Sequence, residues 1–90
     1  MQRLERIVLF RATRKFRQYF MEYTLYQDRE GYTVSIVEKE GGSTHFASAV
    51  TFSQYSEKTC RNFLRILSDT LTFPEQLLEI VTDNDLELLE

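Results

Sequence analysis

Tryptophan is missing from this chain of 90 residues, cysteine, histidine and proline occur once each (Cys60, His45, Pro74), and there are three glycines. A single cysteine excludes an intramolecular disulfide and fits a reducing compartment. Together, Cys60 and His45 fall short of the four ligands a structural zinc site takes. Gly41-Gly42 lacks the Lys-Ser or Lys-Thr that would follow in a phosphate-binding loop. Long apolar runs are missing too. The longest, Ile7-Val8-Leu9-Phe10, is far below the roughly 20 residues that span a bilayer. Arg11, Arg14 and Lys15 interrupt it before the apolar stretch of about 7–15 residues that a secretory signal requires. The expectation is a cytoplasmic protein with no membrane span, no metal and no cofactor.

Catalytic pairings are equally scarce. His45 and Cys60 are the one nucleophile–base combination available, and alternation along residues 44–52 puts His45 on the strand face opposite Phe46, Val50 and Phe52. Cys60 belongs to the helical stripe that should cover those three. The two are therefore expected apart, with Cys60 a buried, inert thiol. The chain is not expected to be an enzyme.

What the chain does have is charge divided between its ends. Arg3, Arg6, Arg11, Arg14, Lys15 and Arg17 crowd the first eighteen residues against Glu5 alone, while residues 69–90 carry Asp69, Glu75, Glu79, Asp83, Asp85, Glu87 and Glu90 and no Lys or Arg. The net charge of −3 conceals this layout. It could serve a partner, phosphate included, or let the ends of the chain attract each other.

Aromatic residues are plentiful at 13%, enough with the aliphatics to argue for a packed core. Residues 19–26 alternate Tyr19, Met21, Tyr23 and Leu25 with Phe20, Glu22, Thr24 and Tyr26, which is strand chemistry. Asp28-Arg29-Glu30-Gly31 is a turn signal, as is Gly41-Gly42-Ser43, and between them Tyr32, Val34 and Ile36 alternate again. Residues 44–52 make a third strand. Ile7-Val8-Phe10 favours a further strand at the N-terminus, with Thr13-Arg14-Lys15 as its tight connection to the next.

A sheet with one apolar face needs a cover. Cys60, Phe63, Leu64, Leu67 and Leu71 recur at helical spacing and predict a helix over residues 54–71, with Ser53 as its N-cap. Thr72-Phe73-Pro74 ends it, and Pro74 opens a short second helix whose Leu77, Leu78 and Val81 are expected under the sheet edge.

The fold class is thus α+β: an antiparallel three- to four-stranded meander covered on one face by a C-terminal helix, then a short second helix. Residues 1–82 form one domain and 83–90 an acidic tail. The core should hold Tyr23, Leu25, Val34, Ile36, Phe46, Val50, Phe52, Cys60, Phe63, Leu64, Leu67, Leu71, Leu77 and Val81.

The aromatic strand Tyr19–Tyr26, the Val50-Thr51-Phe52-Ser53 entry to the helix, and the run from Thr72-Phe73-Pro74 to Val81-Thr82-Asp83 together resemble a family of small uncharacterised domains of clostridial Gram-positive bacteria. The similarity covers residues 16–85. It implies a bacterial, cytoplasmic protein and transfers no catalytic residue.

Function is expected to lie in contact with another protein. One helix covers one sheet face, so aromatics on the other parity, Phe16, Phe20 and Tyr26, are the candidate interaction face, for a protein partner or for a homodimer. The alternative is nucleic-acid binding through Arg3, Arg6, Arg11, Arg14, Lys15 and Arg17, where arginines would neutralise phosphates and neighbouring aromatics stack on bases. Were residues 1–14 helical, the α-β-β-β-α order would be that of a double-stranded-RNA-binding domain. The opening of the last helix, Tyr55-Ser56-Glu57-Lys58, lacks that family's lysine cluster.

Overall fold

A computed structural model describes residues 6–83. Four strands run in chain order, β1 (Ile7–Phe16), β2 (Tyr19–Asp28), β3 (Gly31–Glu40) and β4 (Ser43–Phe52), followed by α1 (Glu57–Asp69), a 3-10 turn (Pro74–Gln76) and α2 (Leu77–Asp83). The strands form one antiparallel meander, β1-β2-β3-β4, with β1 and β4 at the edges.

Turn chemistry sets the register. Between β3 and β4, Gly41 and Gly42 both take positive φ (58° and 84°), the combination a two-residue type I′ hairpin requires. At the β2–β3 turn, Asp28 Oδ1 accepts from the main-chain N–H groups of Glu30 and Gly31 at 3.0 and 3.2 Å. The first hairpin departs from expectation. Thr13-Arg14-Lys15 is strand, and the turn is Arg17-Gln18, with Arg17 at φ 57°. No glycine or asparagine marks this site, so the sequence carries no local signal for it.

The core lies between the sheet and the helices. Met21, Tyr23, Leu25, Val34, Ile36, Phe52, Cys60, Phe63, Leu64, Leu67 and Leu77 are all buried. The α1 stripe is as expected, but its start is not: the helix begins at Glu57 and its N-cap is Ser56, whose Oγ accepts from Thr59 N at 3.2 Å. Ser53 caps nothing, because the chain first passes Tyr55 across the Phe52 ring. Leu71 is not in the helix either. It takes φ 52° just past the end, where glycine is usual, and its N–H and that of Thr72 close onto the carbonyls of Ser68 and Leu67 at 3.2 and 2.9 Å.

Two further burial expectations fail on geometry. Leu78 points outward, 60% exposed, since Leu77 already faces in and neighbouring helical residues diverge by about 100°. Phe46 is 49% exposed because α1 packs mainly on β1, β2 and β3, while the smaller 3-10 turn and α2 lie over β4. Ile7 and Val8 are exposed as well, at the open end of an edge strand. Met21, missing from the expected core, is fully buried.

Candidate interaction surface

Opposed residues in an antiparallel ladder share a face, so the register assigns every strand side chain. Phe10, Ala12, Arg14 and Phe16 of β1 join Met21, Tyr23 and Leu25 on the face beneath the helices. Arg11, Thr13 and Lys15 join Phe20, Glu22, Thr24, Tyr26 and Asp28 on the other, continued by Thr33, Ser35, Val37 and Lys39 of β3 and by Ala47, Ala49 and Thr51 of β4. Among the described residues, that second face carries no helix.

The register puts Phe20 and Tyr26 on the uncovered face and Phe16 on the other. A two-residue turn pairs Phe16 with Tyr19, which carries it to the covered face, where its ring meets Phe73 edge-on at 5.6 Å. Phe20 is 46% exposed, with the Lys15 ammonium 5.8 Å from its ring centre. Tyr26 lies under the Arg6 guanidinium at 5.2 Å.

Between these two aromatics the floor is short and hydroxyl-rich. Thr24, Thr33 and Ser35 are buried at its centre. Arg11 Nε donates to Thr24 Oγ1 at 3.3 Å, and Thr33 Oγ1 bonds Asp28 Oδ2 at 2.9 Å and Thr51 Oγ1 at 2.8 Å. The Thr33 hydroxyl chiefly, with the Glu30 and Gly31 N–H groups and Arg6, holds the Asp28 carboxyl below its ordinary range against the opposing effect of desolvation. Asp28 lines a shallow hollow of about 370 Å³ with Arg6, Arg29, Glu30 and Thr51. Its carboxylate is engaged by the turn N–H groups and the Thr33 hydroxyl.

The basic cluster disperses. Arg11 and Lys15 stand on the uncovered face. Arg14 faces the other way, donating from Nη1 to the Ser68 carbonyl at 2.7 Å, where it supplies the cation that the last turn of α1 lacks. Arg17 sits in the turn over Phe16, and Arg6 lies 3.9 Å from Asp28. Arg3 and the acidic tail past Asp83 lie outside the described residues. A helix C-terminus, not an acidic side chain, answers Arg14.

His45 overturns its expected placement. β4 bulges between Thr44 and Phe46, so strict alternation breaks at that residue. His45 swings towards the covered side, where Nδ1 meets Oε2 of the buried Glu38 at 2.6 Å and the ring stacks on Tyr19 at 5.5 Å. Its pKa is raised above 6.5, first by the Glu38 hydrogen bond and then, against desolvation, by the charges of Glu38, Glu40 and Glu75. The sequence showed no sign of the pair, since nothing in Thr44-His45-Phe46 marks a bulge. Cys60 lies wholly buried, and burial pushes its thiol up to about 11, far from a thiolate nucleophile. Burial likewise takes Tyr23, partly opposed by Arg14, up to about 12, and its hydroxyl donates to the Thr72 carbonyl at 2.8 Å.

Among the described residues no cluster of three or more His, Cys, Asp or Glu side chains could hold a metal, and no helix is long and apolar enough to cross a membrane. No family model matches the chain, and no curated protein or solved structure matches it either.

Proposed function

We propose that this chain is a non-enzymatic, cytoplasmic protein-interaction module whose contact surface is the uncovered face of its sheet. One observation carries the reading: among the described residues the four-stranded sheet is layered on one side only, and Phe20, Ala47 and Ala49 are exposed on the other, with Val37 half-buried between them. The short side chains at the centre let a flat partner approach the backbone closely, while Phe20 and Tyr26 stand at the two ends as anchors. The groups that could do chemistry are tied up in structure: Cys60 in the core, Tyr23 on Thr72, Asp28 in its turn and His45 on Glu38.

The test is site-specific photocrosslinking in the producing cell. A photoreactive residue at Phe20 or Val37 should capture a discrete protein, and the same group at Lys58 or Arg65, on the outer side of α1, should not. Capture only from the helix positions would refute the reading.

Arg11 and Lys15 beside Phe20 favour a second reading, single-stranded nucleic acid on the same face. Fluorescence anisotropy of labelled oligonucleotides decides it: binding must weaken steeply with salt and fall in Lys15→Gln. Opposing it, Lys39 is paired with Glu22 at 3.1 Å, and Arg14 and Arg17 point elsewhere.

A further inference from the structure

The two edges of the sheet are built differently. β1 carries Arg11, Arg14 and Lys15 and is bulged between Val8 and Phe10. Charges and bulges are what keep an edge strand from pairing with another chain. β4 reads Ser-Thr-His-Phe-Ala-Ser-Ala-Val-Thr-Phe, with no Asp, Glu, Lys, Arg or Pro over its ten residues. It is paired by β3 on one side and is the last strand of the sheet. Its single bulge, at His45, leaves the rest of the strand regular.

We propose that β4 is a self-association edge: it pairs antiparallel with β4 of a second copy of this chain about a two-fold axis, joining two sheets of four strands into one of eight. The argument for a second copy is complementarity. An isologous contact sets a surface against itself, so every charge on it meets its own kind. The arginines and lysine of β1 would oppose one another in such a contact, whereas β4 brings no charge apart from His45, which sits at the bulge and pairs with Glu38 of its own copy. It is the one edge whose own sequence tolerates its own reflection.

The symmetry also restricts the register. Opposed residues share a face and the axis keeps faces in place, so a residue must sit on the axis opposite itself. Centring on Ser48 sets Phe46, 49% exposed on the helix side, against the half-buried Val50 of the second copy, and Ala47 against Ala49 of the second copy on the other side. Centring on Ala47 would oppose Phe46 to a serine. Centring on Ala49 would oppose it to Phe52, which is 4% exposed and committed to its own core. Ser48 is thus the axis that covers Phe46.

With the bulge at His45 as a limit, the ladder spans residues 46–50, about 17 Å at 3.4 Å per residue. A contact of five residues per copy falls short of the roughly 20–30 residues a side of a standard interface and places the dimer in the weak class. This contact pairs the edge strand, although Ala47 and Ala49 also border the face proposed above. The two are told apart by the Ser48→Cys cross-link for the edge and by capture of another protein from Phe20 or Val37 for the face.

Sedimentation velocity of the full chain from about 10 µM to 1 mM is the primary measurement, and a mass rising towards the dimer is expected. In A47K/A49K, lysines oppose lysines at both flanking pairs, and the dimer should weaken at least about tenfold while far-UV circular dichroism stays that of the parent. Mixing that variant with A47E/A49E should restore the dimer, because each lysine then meets a glutamate. Ser48→Cys supplies the register readout. Opposed Cα atoms lie about 4.5–5.5 Å apart, within disulfide range, so oxidant should cross-link Ser48→Cys readily and Ser43→Cys, outside the ladder, poorly. A monomer throughout the concentration range overturns the proposal. So does a dimer indifferent to A47K/A49K, and cross-linking at residue 43 equal to that at 48 overturns the register.

Discussion

Substituting Gly31 with alanine should be among the most damaging single-methyl changes available to this protein. A Cβ built on Gly31 would lie 2.0 Å from the Phe52 carbonyl oxygen, 3.0 Å from its carbon and 3.1 Å from Ser53 Cα. All three are main-chain atoms, so no rotamer change relieves the overlap. Reaching ordinary contact near 3.4 Å means moving the end of β4 by more than 1 Å. That end carries Phe52, whose ring packs edge-on against Tyr55 and Phe63 at 5.4 and 6.1 Å. The φ of 146° adds its own cost for any L residue. Backbone strain of about 1–3 kcal/mol and overpacking of about 1–3 kcal/mol together give roughly 2–6 kcal/mol, a large share of the roughly 5–13 kcal/mol expected for a domain of this size. Gly41→Ala is the control. Its φ is 58° with no atom within 4 Å of the added Cβ, so it should cost only the left-handed penalty of about 1–2 kcal/mol. Urea unfolding followed by circular dichroism, which needs no tryptophan, measures both. Gly31→Ala should lose more than Gly41→Ala, by about 2.5 kcal/mol at the centres of the two ranges, or fail to fold at all. Equal losses, within about 0.5 kcal/mol, would refute the close-approach argument.

Removing the Tyr23 hydroxyl in Tyr23→Phe leaves the Thr72 carbonyl without its 2.8 Å donor and should cost about 1–2 kcal/mol, seen as a melting temperature lower by several degrees; an unchanged midpoint would mean that the bond contributes nothing net. Arg14→Met keeps the apolar stem but removes the donor to the Ser68 carbonyl, with an expected loss of about 1 kcal/mol. Lys15→Met, one residue along on the exposed face, should change stability by less than about 0.5 kcal/mol, and equal effects would undo the distinction drawn within the basic cluster. His45 is the only histidine, so its ring is directly titrated by NMR. Its folded pKa is raised above 6.5 by Glu38, so the stability it contributes is fully present below pH 6.5 and is lost as pH rises through the folded value. The stability difference between the parent and His45→Gln should accordingly shrink from pH 6 towards pH 9. A measured pKa at or below 6.5, or one unmoved by Glu38→Gln, would contradict the geometry.

Local chemistry announced most of the architecture. Periodicity two over residues 19–52 and periodicity near 3.6 from Cys60 to Leu67 specify strands and a helix because burial on one face imposes those spacings. Gly41-Gly42 and Asp28–Gly31 located two of the three hairpins, since each turn needs the φ or the side-chain acceptor that those residues supply. The turn at Arg17-Gln18 escaped notice because it places an arginine where such a signal would be expected. The candidate surface was half legible. Phe20 and Tyr26 were found by parity, but the same counting misassigned Phe16, because parity along one strand does not carry across a turn whose position is unknown.

By itself, then, the sequence determined most of the elements and the side of β2 and β3 that faces inward, properties that nearest neighbours along the chain decide. Tertiary structure alone decided what lies across from what. It sent Arg14 to the end of α1 and left Arg11 and Lys15 in solvent, it brought His45 to Glu38 through one extra residue in β4, and it made β4 an edge while β3 became a centre. Those outcomes depend on pairing between distant residues and on where one short helix runs out of sheet to cover, quantities that no window of the sequence contains.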